Sequence, residues 1–368
     1  MLNLSATCIA ALILLHSPSS FAESGTVAAD LALAARIDAG IASYYKTDGP
    51  GATVIVTRDG KTVFRKAYGM ADVARHVPMR PEMSLRVGSI TKQFTSTAIM
   101  MLADDGKLSI ADEITTYLPG YPTHGKKITI EHLLNHTSGI ASYTRKPAFD
   151  AYMTRDMSVA QVIDFFKNDP PDFAPGEKWR YNNSGYFLLG AIIEKVSGMP
   201  YARFVEQCIF VPLHMNDTAY EGYERGAVLR AAGHTGAAGN YKPSAALSMT
   251  LPYAAGALVS TVDDLARWDQ AVWSGKLLKP ASWQQAFTPA RLVGGAPTTY
   301  GYGWMLEKLQ GEPTIGHGGR INGYGAYAYH VPSQNVYVAV LTNADSGVVQ
   351  PEVVANKVAA IAIGKPLP

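Results

Sequence analysis

Cysteine is nearly absent, with Cys8 and Cys208 the only two in 368 residues. Cys8 falls in a segment that reads as a removable leader, which leaves Cys208 alone and excludes an intrachain disulfide framework. Beside Ile209 and Phe210, Cys208 reads as a small buried hydrophobe. Charge is sparse as well. Charged residues are 17% of the chain and the formal balance is +2, so no acidic partner is expected, and no basic run offers a footprint for nucleic acid. Long apolar runs are also missing. Ala6 to Leu15 is too short to span a bilayer, and no later segment is long enough. Followed by Ser20-Phe21-Ala22, that run reads as a signal peptide over residues 1–22, cut after Ala22, although no Lys or Arg precedes it. An exported chain without disulfides points to a bacterial periplasm or the medium. The 47% of hydrophobic residues is enough to build a core in one large or two intertwined domains.

What is present begins with Ser89-Ile90-Thr91-Lys92. On a helix this spacing places serine and lysine on one face, one turn apart. A serine hydroxyl needs a base within hydrogen-bond reach, and a lysine serves only if its pKa is lowered. The same spacing recurs at Ser43 and Lys46, within a plain amphipathic pattern from Leu31 to Tyr45. Ser89 differs in context, because Val87-Gly88 precedes it and an apolar helical run, Phe94 to Leu102, follows. A nucleophile at a helix N-terminus gains from the local dipole and free N–H groups.

Two distant motifs support the first. Tyr181-Asn182-Asn183 holds the only Tyr-x-Asn of the chain. Tyrosine can relay a proton, and asparagine can orient a lysine or bind a substrate amide. His317-Gly318-Gly319 is expected to open the alternating run from Tyr324 to Tyr329, where glycines such as Gly319 let a substrate backbone lie along a strand edge. A second His-x-Gly, His234-Thr235-Gly236, is followed by loop-like sequence and is set aside.

With Ser-x-x-Lys, Tyr-x-Asn and His-x-Gly in this order, the chain resembles the serine β-lactamase and penicillin-binding superfamily. It is most similar to the members carrying Tyr-x-Asn: class C β-lactamases, DD-peptidases, family VIII esterases and D-aminopeptidases. Arg86-Val87-Gly88-Ser89, Leu133 to Gly139, Ala174-Pro175-Gly176 and Gly256 to Thr261 also look like this family. The resemblance implies acyl transfer through a covalent ester on Ser89, with Lys92, or Lys92 and Tyr181 together, taking the proton. It implies an oxyanion hole from the backbone N–H groups of Ser89 and Arg320. Asn183 would hold Lys92 and the substrate amide, and His317 would meet the far end of the substrate. No metal or organic cofactor is implied. Most β-lactamases carry lysine where this chain has His317, which favours peptidase, esterase or amidase members over a true class C-like β-lactamase. A penicillin-binding sensor that acylates and stalls, and a metal hydrolase, are the readings of other classes.

The expected fold is α+β, of the β-lactamase/transpeptidase kind: an antiparallel sheet flanked by helices, with a helical domain inserted. Residues 23–88 and 251–368 would form the sheet domain, and 89–250 the mainly helical one. Ala52 to Tyr68 reads as a hairpin around Asp59-Gly60, and Tyr324 to Leu341 as another around Pro332 to Asn335. Helical patterns cover Ile130 to Asn135, Val159 to Phe166, Tyr186 to Val196 and Val349 to Ile363. His132 and His136 have a metal-ligand spacing, but Leu133 stands where a zincin needs glutamate. Tyr300, Tyr302 and Trp304 read equally as cleft lining or as core.

Overall fold

The computed structural model describes residues 19–237 and 239–368. Cys8 and residues 1–18 of the expected leader lie outside the described residues. The fold is α+β. Strands β1 (Ala52–Arg58) and β2 (Lys61–Tyr68) meet at Asp59-Gly60, whose φ angles of 52° and 72° suit a two-residue hairpin turn. Strands β3 (Met305–Leu309), β4 (Glu312–Ile321), β5 (Tyr324–Val331) and β6 (Val336–Thr342) come from the other end of the chain. All six form one antiparallel sheet in the order β3-β4-β5-β6-β1-β2.

The main helices are α1 (Ser19–Ile41), α2 (Thr91–Asp104), α3 (Asn183–Ser197), α4 (Val262–Trp273) and α5 (Pro351–Ala362). Strand β6 shows how they share the sheet, because it is buried along its whole length. Its side chains alternate between faces. Val336, Val338 and Val340 join Val54 and Val56 in a core closed by Leu33 and Ile37 of α1 and Val358 of α5. Tyr337, Ala339 and Leu341 join Ile55 in the larger core, which holds Phe94 of α2, Phe187 of α3 and Trp268 of α4. Each such aliphatic or aromatic side chain contributes about 1.5–3 kcal/mol by leaving water. Among the described residues, no helix is long and apolar enough to cross a membrane.

Two features differ from the sequence expectation. The His317-Gly318-Gly319 stretch is not the start of the Tyr324 to Tyr329 run; it lies inside β4, a strand of its own that pairs with β5. Strands β3 and β4 give a weak strand signal because β3 is a partly exposed edge strand and β4 carries three glycines and a proline. The His234 stretch is not a plain loop either, since His234–Ala237 pairs with Asn240–Pro243.

Candidate active site

The chain enters the site from a short strand, Leu85–Arg86, paired with Leu258–Ser260. Arg86 clamps this entry with two charge-assisted bonds to Glu221, at 2.7 and 2.8 Å. Gly88 then turns the backbone at φ 50°, a left-handed angle that glycine adopts without cost. Ser89 sits in the single 3-10 turn Gly88–Ile90 that leads into α2, half-buried between two cavities. Ser43, by contrast, lies exposed in the 3-10 turn Ala42–Tyr44 that follows α1, with Lys46 exposed beyond it.

One helical turn after Ser89, Lys92 is fully buried. Its Nζ lies 3.0 Å from Ser89 Oγ, 2.9 Å from Asn183 Oδ1 and 2.8 Å from the Ala255 carbonyl oxygen. Burial drives the ammonium pKa well below its usual range. Two of the three neighbours are carbonyl-type oxygens that only accept. A neutral amine therefore donates to Asn183 and Ala255 and keeps its lone pair for the Ser89 O–H. This arrangement can deprotonate Ser89.

The Tyr-x-Asn spacing has a simple geometric cause. Asn182 is extended, with φ −145° and ψ 121°, so its two neighbours project to the same side. Asn182 itself caps α3 through its Oδ1, 3.0 Å from the Gly185 N–H, and its side chain also donates to the Ile140 carbonyl. Asn183 is oriented by its second amide atom, which donates to Thr144 Oγ1 at 3.1 Å. The Tyr181 ring lies with its centroid 4.8 Å from Lys92 Nζ. Its hydroxyl is buried and finds no hydrogen-bond partner of normal geometry among the described residues. Burial raises the phenol pKa, with the neighbouring Ser89 hydroxyl pulling the other way. A protonated phenol placed here can hand a proton to a leaving group.

Strand β4 closes the other wall. Its hairpin with β5 turns at Asn322-Gly323, so Ile321 and Tyr324 flank a two-residue loop and form a hydrogen-bonded pair. The next pair, Arg320 and Gly325, is then non-hydrogen-bonded, and the Arg320 N–H points away from β5. Strand β3 pairs no further than Gly316, so that edge is open at Arg320. The Ser89 turn lies against it. A Cβ added at Gly88 would stand 2.9 Å from Arg320 N, and one added at Gly319 would stand 3.1 Å from Ser89 N and 2.0 Å from the Val87 carbonyl oxygen. Glycine at both positions lets the Ser89 turn and the Arg320 stretch of β4 pack backbone to backbone.

His317 is 1% exposed and lies at the floor of the cavity that Ser89 borders. Its Nδ1 is 2.5 Å from the Gly318 carbonyl oxygen, which can only accept, so Nδ1 carries the proton. Nε2 then accepts from Tyr300 O–H at 2.8 Å. Burial pushes the ring down to about 3, and Lys92 would add to the shift whenever it is protonated. Burial favours the neutral ring, and both nitrogens already have partners. The ring borders the cavity that also holds Ser89 and Tyr181, with its polar atoms turned to partners inside the protein.

Sequence reasoning missed the layer beneath the site. His136 packs 4.5 Å from the Tyr181 ring and 4.6 Å from the Tyr300 ring, and its Nδ1 accepts from the Asn182 N–H at 3.2 Å. Its spacing from His132 suggested metal chemistry, whereas His132 uses its own Nδ1 to accept from Thr129 N–H at a helix start. Tyr300, Tyr302 and Trp304 are all core, 1%, 4% and 5% exposed. His136 takes a positive φ of 63° and its buried Nε2 finds no hydrogen-bond partner among the described residues, features not visible in sequence.

Comparison with known proteins agrees with this geometry. Residues 33–362 match the family model described as Beta-lactamase. A penicillin-binding protein of Bacillus subtilis (strain 168) is 30% identical over 330 residues, covering 85% of this chain and 72% of that protein. The putative penicillin-binding protein PbpX of the same organism is 32% identical over 275 residues, covering 72% of this chain and 64% of its own length. The chain thus spans about two thirds of these curated relatives. Among solved structures, an octameric penicillin-binding protein homologue from Pyrococcus abyssi superposes with a TM-score of 0.79 at 30% identity, over 90% of this chain and 77% of that one. A D-stereospecific amidohydrolase from a Streptomyces species gives 0.77 at 29% identity, over 90% and 99%. The chain belongs to the β-lactamase family and is a serine hydrolase of the β-lactamase and penicillin-binding superfamily.

Proposed function

We propose that this hydrolase acts on small esters and amides, including amides and peptides of D-amino acids, through an acyl ester on Ser89. The observation that carries the reading is the Lys92 environment, in which two acceptor-only oxygens leave the amine lone pair to face Ser89 Oγ at 3.0 Å. Lys92 takes the Ser89 proton as Oγ bonds to the substrate carbonyl carbon. The oxyanion is held by the N–H groups of Ser89 and Arg320, donors that contribute about 3 kcal/mol each in such sites. As the bond to the leaving atom breaks, that atom takes a proton through Tyr181. Water then cleaves the ester by the reverse proton path. Asn183 orients Lys92 and meets the substrate amide, Gly319 lets β4 approach, and His317 lies at the floor of the cavity.

Relatives described as penicillin-binding proteins and as a D-stereospecific amidohydrolase support acyl transfer at a D-configured or amide substrate. A neutral His317 supplies no fixed charge for a carboxylate, which weighs toward esterase or amidase over β-lactamase action. The test is a panel of p-nitrophenyl esters, D- and L-amino acid p-nitroanilides, D-Ala-D-Ala peptides and nitrocefin. Turnover of esters and D-amides above nitrocefin supports the reading; a stable adduct with no turnover of any substrate replaces it with a stalled sensor. We also propose export, with cleavage after Ala22. N-terminal sequencing of secreted or periplasmic material beginning at Glu23 supports that, and retention of Met1 overturns it.

A further inference from the structure

His136 holds the main chain on both sides of Tyr181. Its carbonyl oxygen accepts from the Arg180 N–H at 3.1 Å, and its ring Nδ1 accepts from the Asn182 N–H at 3.2 Å. Between these two bonds the His136 ring lies against the Tyr181 ring, with centroids 4.5 Å apart and planes inclined by 47°. The Tyr300 and His317 rings stand farther from Tyr181, at 6.3 and 5.9 Å. The Tyr181 hydroxyl finds no hydrogen-bond partner of normal geometry among the described residues. The aim of the phenol therefore depends on what packs against its ring and on the main chain that carries it.

His136 takes this place at a cost to stability. Its φ of 63° lies in the left-handed region, which is strained for a residue with a Cβ. The Asn182 N–H can only donate, so Nδ1 is bare and the proton of the neutral ring sits on Nε2. Burial favours that neutral ring. The rings of Tyr186 and Tyr300 lie 5.1 and 4.6 Å from it, and the buried Nε2 finds no partner among the described residues. A buried donor without an acceptor is destabilising, and an apolar ring would fill the same space without that penalty. A strained angle and an unpaired donor on one residue, both beside the proton donor of the reaction, point to a task other than packing.

We propose that His136 is the positioning residue of Tyr181. Its carbonyl and Nδ1 fix residues 180 and 182, its ring sets the tilt of the phenol, and together they aim the Tyr181 O–H at the leaving atom. The inference rests on the Ser89 acyl-transfer reading, and His136 acts only through Tyr181. In the step concerned, the acyl–Oγ bond has formed. The bond from the acyl carbon to the leaving atom breaks, its electron pair goes to that atom, and Tyr181 gives the atom a proton. The proton that Lys92 took from Ser89 then restores the phenol. A p-nitrophenolate leaves as a stable anion and needs no such proton, whereas an alkoxide does. Misplacing the phenol therefore slows alkyl esters far more than p-nitrophenyl esters.

The test uses the whole protein and the p-nitrophenyl and ethyl esters of one acyl group. Each kcat/KM is divided by that ester's hydroxide rate, and the p-nitrophenyl-to-ethyl quotient then reports the need for a proton donor. Tyr181→Phe sets the upper limit, a rise of about 10²-fold or more, the usual scale of general acid catalysis. His136→Phe keeps a ring but loses the acceptor. It should raise the quotient by about tenfold or more, since misplacement by ~1 Å costs up to about 10²-fold. His136→Asn puts an oxygen in place of Nδ1 and tolerates the left-handed angle, but lacks the ring. It should fall between wild type and His136→Phe, and it carries the test if the Phe variant does not fold. In a Tyr181→Phe background His136→Asn should move the quotient no further. His132→Phe is the structural control, because His132 also accepts from a backbone N–H. It should lower the melting temperature and leave the quotient alone. A wild-type quotient in folded His136→Asn, a further rise in the Tyr181→Phe background, or an equal rise from His132→Phe overturns the inference. Labelling of Ser89 by a fluorophosphonate separates the two levels. An unlabelled wild type loses the acyl-transfer reading as well. Labelling without a Tyr181→Phe shift removes Tyr181 from the proton path, and this inference with it. A labelled protein in which Tyr181→Phe moves the quotient and the His136 variants do not loses only this inference.

Discussion

Lys92 Nζ stands 3.0 Å from Ser89 Oγ, and its two other partners, Asn183 Oδ1 and the Ala255 carbonyl, are oxygens that cannot donate. Buried charge is costly without a counter-ion, and no carboxylate is among these partners. On the proposed reading, Lys92, alone or together with Tyr181, takes the Ser89 proton, and it is not a structural cation.

Lys92→Arg should therefore be nearly as damaging as Lys92→Ala. Arginine keeps the charge but does not deprotonate at any working pH. Loss of a general base typically costs about 10²–10⁴ in rate, and both variants should fall in that range when acylation is followed by single turnover. An Arg variant that kept most of the rate would make the lysine a structural cation.

The pH profile follows from the same burial. The active form of Lys92 is neutral, so kcat/KM should fall on the acid side as the amine takes up a proton. Because burial lowers its pKa well below 10.5, that limb should lie well below the range of a free lysine. The Tyr181 phenol is shifted the opposite way, upward from 10, so it should cause no alkaline loss before about pH 10. A single limb centred near the free-lysine value would contradict the assignment.

Gly319→Ala probes the fit of β4 against the Ser89 turn. The added Cβ would meet the Val87 carbonyl oxygen at 2.0 Å, a backbone atom that cannot rotate aside. Overpacking of this kind costs about 1–3 kcal/mol, and an oxyanion hole opened by about 1 Å loses roughly 10²-fold in rate. Gly294→Ala is the control, because its Cβ would meet nothing within 4 Å. Thermal melts and kcat for the two variants should separate clearly.

His317 was readable as a motif but not as an environment. The expectation sets it before the β5 strand, whereas it lies within β4, and its surroundings, Tyr300 and burial, are not recorded by a local pattern. The same holds for Ala255, whose contribution is a backbone carbonyl, and for His136, which meets Tyr181 and Tyr300 only after folding. Ser89, Lys92, Tyr181 and Asn183 were readable because a helical turn and an extended residue each fix their spacing. The hairpins at Asp59-Gly60 and Pro332 to Asn335 were readable from turn chemistry and alternation. Strand β3 was not, because an exposed edge strand has little apolar pattern to show.

The His317 environment also bears on stability. An unfolded histidine takes up a proton near 6.5, the folded ring only near 3. Between these values the unfolded state binds more protons, so stability is lost as pH falls below 6.5. From pH 7 to pH 5 this ring should account for a loss of about 2 kcal/mol. His317→Gln, which does not titrate, should show a shallower loss in urea melts over the same interval. Parallel slopes in the two proteins would mean the ring is protonated in the folded state.

The most direct measurement is the site of covalent labelling. Wild type, Ser89→Ala and Ser43→Ala should be exposed to a fluorophosphonate, followed by intact mass and peptide mapping. One adduct per chain on the peptide containing Ser89, lost in Ser89→Ala and kept in Ser43→Ala, is the predicted result. An adduct that survives Ser89→Ala, or wild-type turnover with no adduct at all, would contradict the account.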